Sequence, residues 1–241
     1  MRRSAWLILP VLLAAGLAAG GFYYFGAGGR SLRSSRVIQW IRDPGGHPEW
    51  AVHSGERCGD APFILPTDGY IGFLWDDSWK PGQRHQGLDI FSGAQPGQTP
   101  VYAAYDGYLT RLADWKSTVI IRIPDDPLQP GRQIWAYYTH MADAVGKSLI
   151  SPEFPPGTVE QFVEAGRLLG YQGNYSGANG NPTGVHLHFS LVKDDGEGKF
   201  LNELEIDNTI DPSPYFNLRV NAKDTPQDIP VCESAAAVEA P

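Results

Sequence analysis

Four histidines and one aspartate fall in three short segments whose residue types and spacing suit metal-assisted hydrolysis. The first segment is Arg84-His85-Gln86-Gly87-Leu88-Asp89-Ile90. On a strand, side chains at even separation share a face, so His85, Gly87 and Asp89 point the same way. Gly87 then leaves open space on that face for a ligand or ion. A helix would also align His85 with Asp89, but Pro81-Gly82 upstream and Ser92-Gly93 downstream leave little room for one. The second segment is His186-Leu187-His188, whose imidazoles share one strand face while Leu187 and Phe189 turn to the core. The third, Tyr138-Thr139-His140, closes another strand. Neutral imidazoles and carboxylates are standard zinc ligands. The chain has no H-E-x-x-H and no G-x-S-x-G, and neither cysteine sits in a reactive motif. Histidine is therefore the natural general base.

Strands must hold these segments in place. Gly (28) and Pro (20) are abundant, which favours short strands and turns over long helices. Ser117–Ile123 is rich in β-branched residues and predicts a strand, Pro124–Gly131 a loop, and Gln133–His140 the returning strand. Val185–Val192 predicts a strongly alternating strand. Tyr105-Asp106-Gly107-Tyr108 carries a hairpin signal, and Glu160–Ala165 is the best short helical segment. The expectation is a mostly-β, antiparallel domain over residues 63–220. It is preceded by a linker and irregular extension over 30–62 and followed by a flexible tail over 221–241.

Composition narrows the function. The net charge is −8, and no Lys/Arg cluster follows the N-terminus, which excludes nucleic acid as a partner. Residues 1–29 open with Arg2 and Arg3 and continue uncharged and largely apolar to Gly29, the pattern of export. Either this is a signal peptide cut near Ala18–Ala19, or it is an uncleaved membrane anchor with Tyr23, Tyr24 and Phe25 at the interface. Both place the chain in the cell envelope, secreted or anchored to the outer face of the cytoplasmic membrane. In that compartment Cys58 and Cys232 are expected to pair, closing a loop worth roughly 4–5 kcal/mol in the chain-entropy model. His47 and His53 read as exposed loop residues. The sharper alternative is that 30–62 folds over the site and inhibits it, through a side chain such as the Cys58 thiolate. Trp75, Asp76 and Asp77 either line a substrate groove or pack on the domain, and Tyr138 either meets substrate or fills the core.

Each motif alone arises easily by chance, but their order is specific. His85-Gln86-Gly87-Leu88-Asp89 comes first, then Tyr138-Thr139-His140, then Gly184-Val185-His186-Leu187-His188-Phe189 after a Gly-rich stretch. In this the chain resembles the lysostaphin-type (LytM-like) metallopeptidases, which include glycyl-glycine and peptidoglycan endopeptidases. Val101–Gly107 and Asp211-Pro212 also match that family's pattern, and the resemblance covers roughly residues 65–216. It implies the family's antiparallel fold of the duplicated hybrid-motif type, one Zn2+ per chain held by His85, Asp89 and His188, and catalytic roles for His140 and His186. It further implies a zinc-dependent endopeptidase acting on peptidoglycan peptides. All five positions are filled, which favours activity over the alternative of a catalytically silent wall-binding or hydrolase-activating module. A zinc peptidase of secreted proteins is a third possibility. Additions around Pro127–Gly131, from Ala142 to Pro156, and at Asn174–Gly180 bear on substrate preference. Which bond is cut, and which of His140 and His186 is the base, stay open at this level.

Overall fold

The computed structural model describes residues 28–77, 82–224 and 228–232. The expected membrane-targeting segment lies outside these residues up to position 27, as does the tail at 225–227 and beyond 232. Among the described residues, no helix is long and apolar enough to cross a membrane.

The fold is mostly antiparallel β. Helix α1 (Gly28–Arg42) leads into strands β1 (Tyr70–Phe73), β2 (Leu88–Phe91), β3 (Pro100–Tyr102), β4 (Gly107–Thr110) and β5 (Val119–Ile123). Strands β6 (Ile134–Thr139), β7 (Gln161–Val163), β8 (Leu168–Tyr171), β9 (His186–Lys193) and β10 (Thr209–Ile210) follow, then a short helix α2 (Ser213–Phe216). The main sheet has the order β1-β2-β9-β6-β5-β4-β7, with β10 also on β9, and β3 pairs with β8 in a second, two-stranded sheet.

The central strand, β9, is buried from His186 through Val192. Its odd-numbered residues Leu187, Phe189 and Leu191 join Leu88, Ile90, Ile121 and Tyr138 in the main core. Its even-numbered residues face the opposite side, as the period-2 geometry of a strand requires. Tyr138 is fully buried and its hydroxyl accepts the Ala104 N–H at 2.9 Å, so of its two expected roles it takes the core one. Trp75 likewise packs: its Nε1 donates to Thr209 Oγ1 at 2.9 Å. Asp76 pairs with Arg84 and Lys223, and Asp77 with Arg33.

Several local expectations give way to tertiary context. The stretch 30–62 is not irregular throughout, because α1 occupies its start. Val37 and Trp40 of α1 bury against Tyr70 and Phe91, and that packing supplies what a short isolated helix lacks. Glu160–Ala165 is not helical: Gln161–Val163 pairs with β4 as an edge strand, and six residues are too few to nucleate a helix against that ladder. Tyr105–Tyr108 does not close a hairpin, since β3 pairs with β8 while β4 pairs with β5 and β7. The turn passes the chain from one sheet to the other. The described part of the tail is packed. Ala222 N donates to the Trp75 carbonyl at 2.9 Å, and Ile229 packs on the α1 cluster. Cys58 and Cys232 form the expected disulfide, 174 residues apart, with Cα atoms 5.0 Å from each other.

Candidate metal centre and catalytic site

The cross-strand register of β2, β9 and β6 builds the site. Asp89 lies directly opposite His188, and His188 directly opposite Thr139. Side chains in such pairs meet at contact distance. His85 precedes β2 in an extended segment, pinned by backbone bonds from its N–H to the Asp77 carbonyl and from the Asp76 N–H to its own carbonyl. Gly87 works differently from expectation. A Cβ there would stand 2.1 Å from the Phe189 carbonyl oxygen, so glycine lets β2 approach β9 and leaves no ligand space of its own.

The three ligand candidates converge. His85 Nε2 lies 3.1 Å from both Asp89 Oδ1 and His188 Nδ1, and His188 Nδ1 lies 2.8 Å from Asp89 Oδ1. All three residues are buried. Their outward atoms fix their tautomers, because a carbonyl or carboxylate oxygen can only accept. His85 Nδ1 donates to the Leu74 carbonyl at 2.9 Å. His188 Nε2 donates to Glu203 Oε1 at 2.9 Å. Both histidines therefore turn their second ring nitrogen inward, toward the Asp89 carboxylate. Three lone-pair donors packed this closely repel one another unless a cation, or a proton, lies among them. Without a metal a proton does so: burial opposes charge on His188, but hydrogen bonds to Asp89 and Glu203 outweigh it and push its pKa up to about 10. Burial also works against charge on Asp89, yet the surrounding histidines hold its carboxyl well below the usual range. Two imidazole nitrogens and a carboxylate oxygen form a donor set that suits zinc.

His140 and His186 stand beside this cluster. Their rings are 4.4 Å apart, and His186 Nε2 is 3.6 Å from Asp89 Oδ1. His140 directly follows β6 with φ 71°, a left-handed conformation that is uncommon for a residue with a side chain. Gly173 makes room for that turn: a Cβ there would sit 2.1 Å from the Ala142 carbonyl oxygen and 2.5 Å from that of His140. Gly173 also bridges to His186, so it draws the two histidines together. Each donates Nδ1–H to a backbone carbonyl, His140 to Tyr175 at 2.6 Å and His186 to Gly184 at 2.7 Å. Each is left with an unprotonated Nε2. Burial, reinforced by His186 and His188, pushes His140 down to about 3, and burial also lowers His186. Both are neutral bases at physiological pH.

All five site residues expected from sequence line one cavity of 850 Å³. Sequence reasoning missed Glu203, which receives both His188 Nε2–H and the Ser190 hydroxyl. It lies fifteen residues from His188 in a polar loop, and no spacing rule marks it. Sequence reasoning also missed α1, whose Val37 and Ile41 form part of the cavity wall. His47 stacks on Trp50 with centroids 3.8 Å apart, and His53 lies 3.7 Å from Asp68. Neither is among the residues that line the cavity. The disulfide occupies the Cys58 sulfur, so the suggested thiolate inhibitor is ruled out.

No family model matches the chain, and no curated protein does. Among solved structures it is similar to the catalytic domain of the antimicrobial peptidase lysostaphin from Staphylococcus simulans. Identity there is 20%, coverage 69% of this chain and 99% of that one, and the TM-score 0.39. It is also similar to the catalytic domain of a mutant of the prophage-encoded M23 protein EnpA from Enterococcus faecalis, at 23% identity, 62% and 95% coverage, and TM-score 0.37. A third similarity is to Helicobacter pylori Csd3, at 20% identity and TM-score 0.36; it covers 58% of this chain and only 33% of that one.

Proposed function

We propose that this protein is an exported zinc endopeptidase that hydrolyses peptide bonds of bacterial peptidoglycan. The observation that carries this is the inward convergence of His85 Nε2, His188 Nδ1 and Asp89 Oδ1, with their protons turned outward. Three ligands are the complement of a catalytic rather than a structural zinc site. Zinc held there supplies an acidified water and polarises the scissile carbonyl. The protein supplies the rest. His140 and His186 present unprotonated Nε2 atoms side by side over the cluster. One of them accepts the water proton at Nε2 as general base. The protonated ring can then donate to the leaving amine, while its partner hydrogen-bonds the developing charge. The bonds from Nδ1 to Tyr175 and Gly184 keep each ring from rotating during the exchange. Glu203 holds His188 in the tautomer that leaves Nδ1 available, as carboxylates behind metal-bound histidines do.

The apolar stretch behind Arg2 and Arg3 and the Cys58–Cys232 disulfide both suit an oxidising, extracytoplasmic setting. Elemental analysis of the purified protein, with mass spectrometry of digested wall fragments, tests the proposal. About one zinc per chain and new peptide termini are expected. Zinc without cleavage of any wall fragment would indicate a silent binding module and sink the enzymatic assignment.

A further inference from the structure

We infer that α1 supplies a subsite for an aliphatic side chain on one side of the scissile bond. The inference names a specificity determinant for the hydrolysis proposed above and rests on that proposal. It begins with how firmly α1 is seated. Arg33 Nε pairs with Asp77 Oδ2 at 3.0 Å, both groups being buried. Trp40 Nε1 donates to the Phe91 carbonyl at 2.6 Å, and Val37 and Trp40 are almost fully buried against Tyr70 and Phe91. These contacts fix α1 over the β1–β2 end of the sheet, on the face that carries the metal centre. Ile41, one turn beyond Val37, stays 40% exposed and lines the cavity.

The wall that results is apolar and touches the chemistry. Phe91 stacks on His186, with centroids 4.8 Å apart and planes at 22°. Phe73 meets the edge of His85 at 6.4 Å. Ile41 and Phe91 converge on Gly184, where a Cβ would lie 3.5 Å from Ile41 Cδ1 and 3.3 Å from the Phe91 ring. A peptide spanning the metal centre thus places one flank against Ile41 and Phe73, with the buried Val37 and Phe91 behind them. Toward β5 and β6 its other flank meets a more polar lining, where Thr118 Oγ1 and Thr139 Oγ1 bond each other at 2.7 Å beside Ser117 and Tyr137. An aliphatic side chain gains by desolvation at the first end and strips water from hydroxyls at the second, so the two ends differ in preference.

The test uses the full chain loaded with zinc and two sets of short capped peptides. One set carries Gly, Ala or Leu on the amino side of the target bond, the other on the carboxyl side. Calorimetric binding and kcat/KM from chromatography are measured for wild type, Ile41→Asn and Ile41→Phe. In the wild type one set should gain about fourfold for each added methyl group, and the other should stay flat. Ile41→Asn should bring the gain close to unity, and Ile41→Phe should retain Ala but reject Leu. Circular dichroism and zinc content confirm that both variants remain folded. A flat response in both sets, or a gain that Ile41→Asn leaves intact, overturns the subsite. An Ile41-dependent binding preference with no cleavage of any peptide sustains the subsite and overturns the hydrolase assignment.

Discussion

The two faces of the central sheet are cut from the same strands and obey opposite rules. On β9, Leu187, Phe189 and Leu191 face the core, while His186, His188 and Ser190 face the other way, the two histidines lining the cavity, and all six are buried. On the core face, burial is sustained by area and fit: Leu88, Ile90, Ile121 and Phe189 need only neighbours of the right shape. On the site face, burial is sustained atom by atom. His85 Nδ1 has the Leu74 carbonyl, His186 Nδ1 has Gly184, and His188 Nε2 and the Ser190 hydroxyl share Glu203. An unsatisfied buried polar atom costs about 1–3 kcal/mol, so every one of these groups needs its partner. One face is therefore sensitive to lost volume and the other to lost partners.

Adjacent positions should separate the two rules most sharply. His188→Ala should reduce turnover to background and abolish stoichiometric zinc. Phe189→Ala, one residue away, should destabilise the fold by about 3–5 kcal/mol in denaturant titrations. Stoichiometric zinc retained by His188→Ala, or lost from Phe189→Ala while that variant is still folded, would break the contrast between the faces. His140→Ala sits next in magnitude. It should keep zinc and lose about 10²–10⁴ in kcat if, as proposed, the ring handles protons without belonging to the ligand set. Loss of zinc from this variant would mean that the division between ligands and bases is drawn wrongly.

Glu203→Gln probes the partner rule one step behind the metal. A neutral amide holds the His188 Nε2–H less firmly, so zinc affinity measured by chelator competition should fall about 10–100-fold. The pH dependence should change with it. His188 in the metal-free protein is raised to about 10, so zinc must displace a proton at every lower pH. Apparent affinity should accordingly rise with pH, about tenfold per unit between pH 6 and 8. Glu203→Gln removes one of the two carboxylates that raise His188, brings its pKa down, and should flatten that slope. An affinity equal to wild type at every pH would show that Glu203 plays no part in holding the proton.

How legible each part was in the sequence follows from the range of the forces involved. His85, Asp89, His186 and His188 were readable because strand periodicity is local and puts even-spaced side chains on one face. Glu203 was not, since a loop carries it back to His188 and a single acidic residue in Asn202-Glu203-Leu204-Glu205 looks like any solvated one. Gly87 and Gly173 were visible as glycines, but what they admit is a backbone from another segment, which only the fold discloses. The left-handed His140 follows from packing at the end of β6. Helix α1 is the instructive miss. Arg33, Val37 and Trp40 are spaced as i, i+4 and i+7, the stripe of a docked helix. The stripe opens with a charge, and its meaning depends on Asp77 waiting on the domain.

The smallest expected effect lies where the two rules meet, at the seat of α1. Trp40 serves both: its ring belongs to an apolar cluster, and its Nε1 satisfies the Phe91 carbonyl on the strand edge. Trp40→Phe retains much of the ring and removes the donor. If the partner rule holds over this outer part of the site face, stability should drop by about 0.5–1.5 kcal/mol, or roughly 3–6 °C in Tm at the upper end. The aliphatic-against-glycine preference should weaken slightly as Phe91 loosens beside His186. A melting temperature identical to wild type would mean that water replaces the lost donor freely. Because the substitution also removes ring volume at a buried position, the seat of α1 would then follow neither rule, and both would stop at His186.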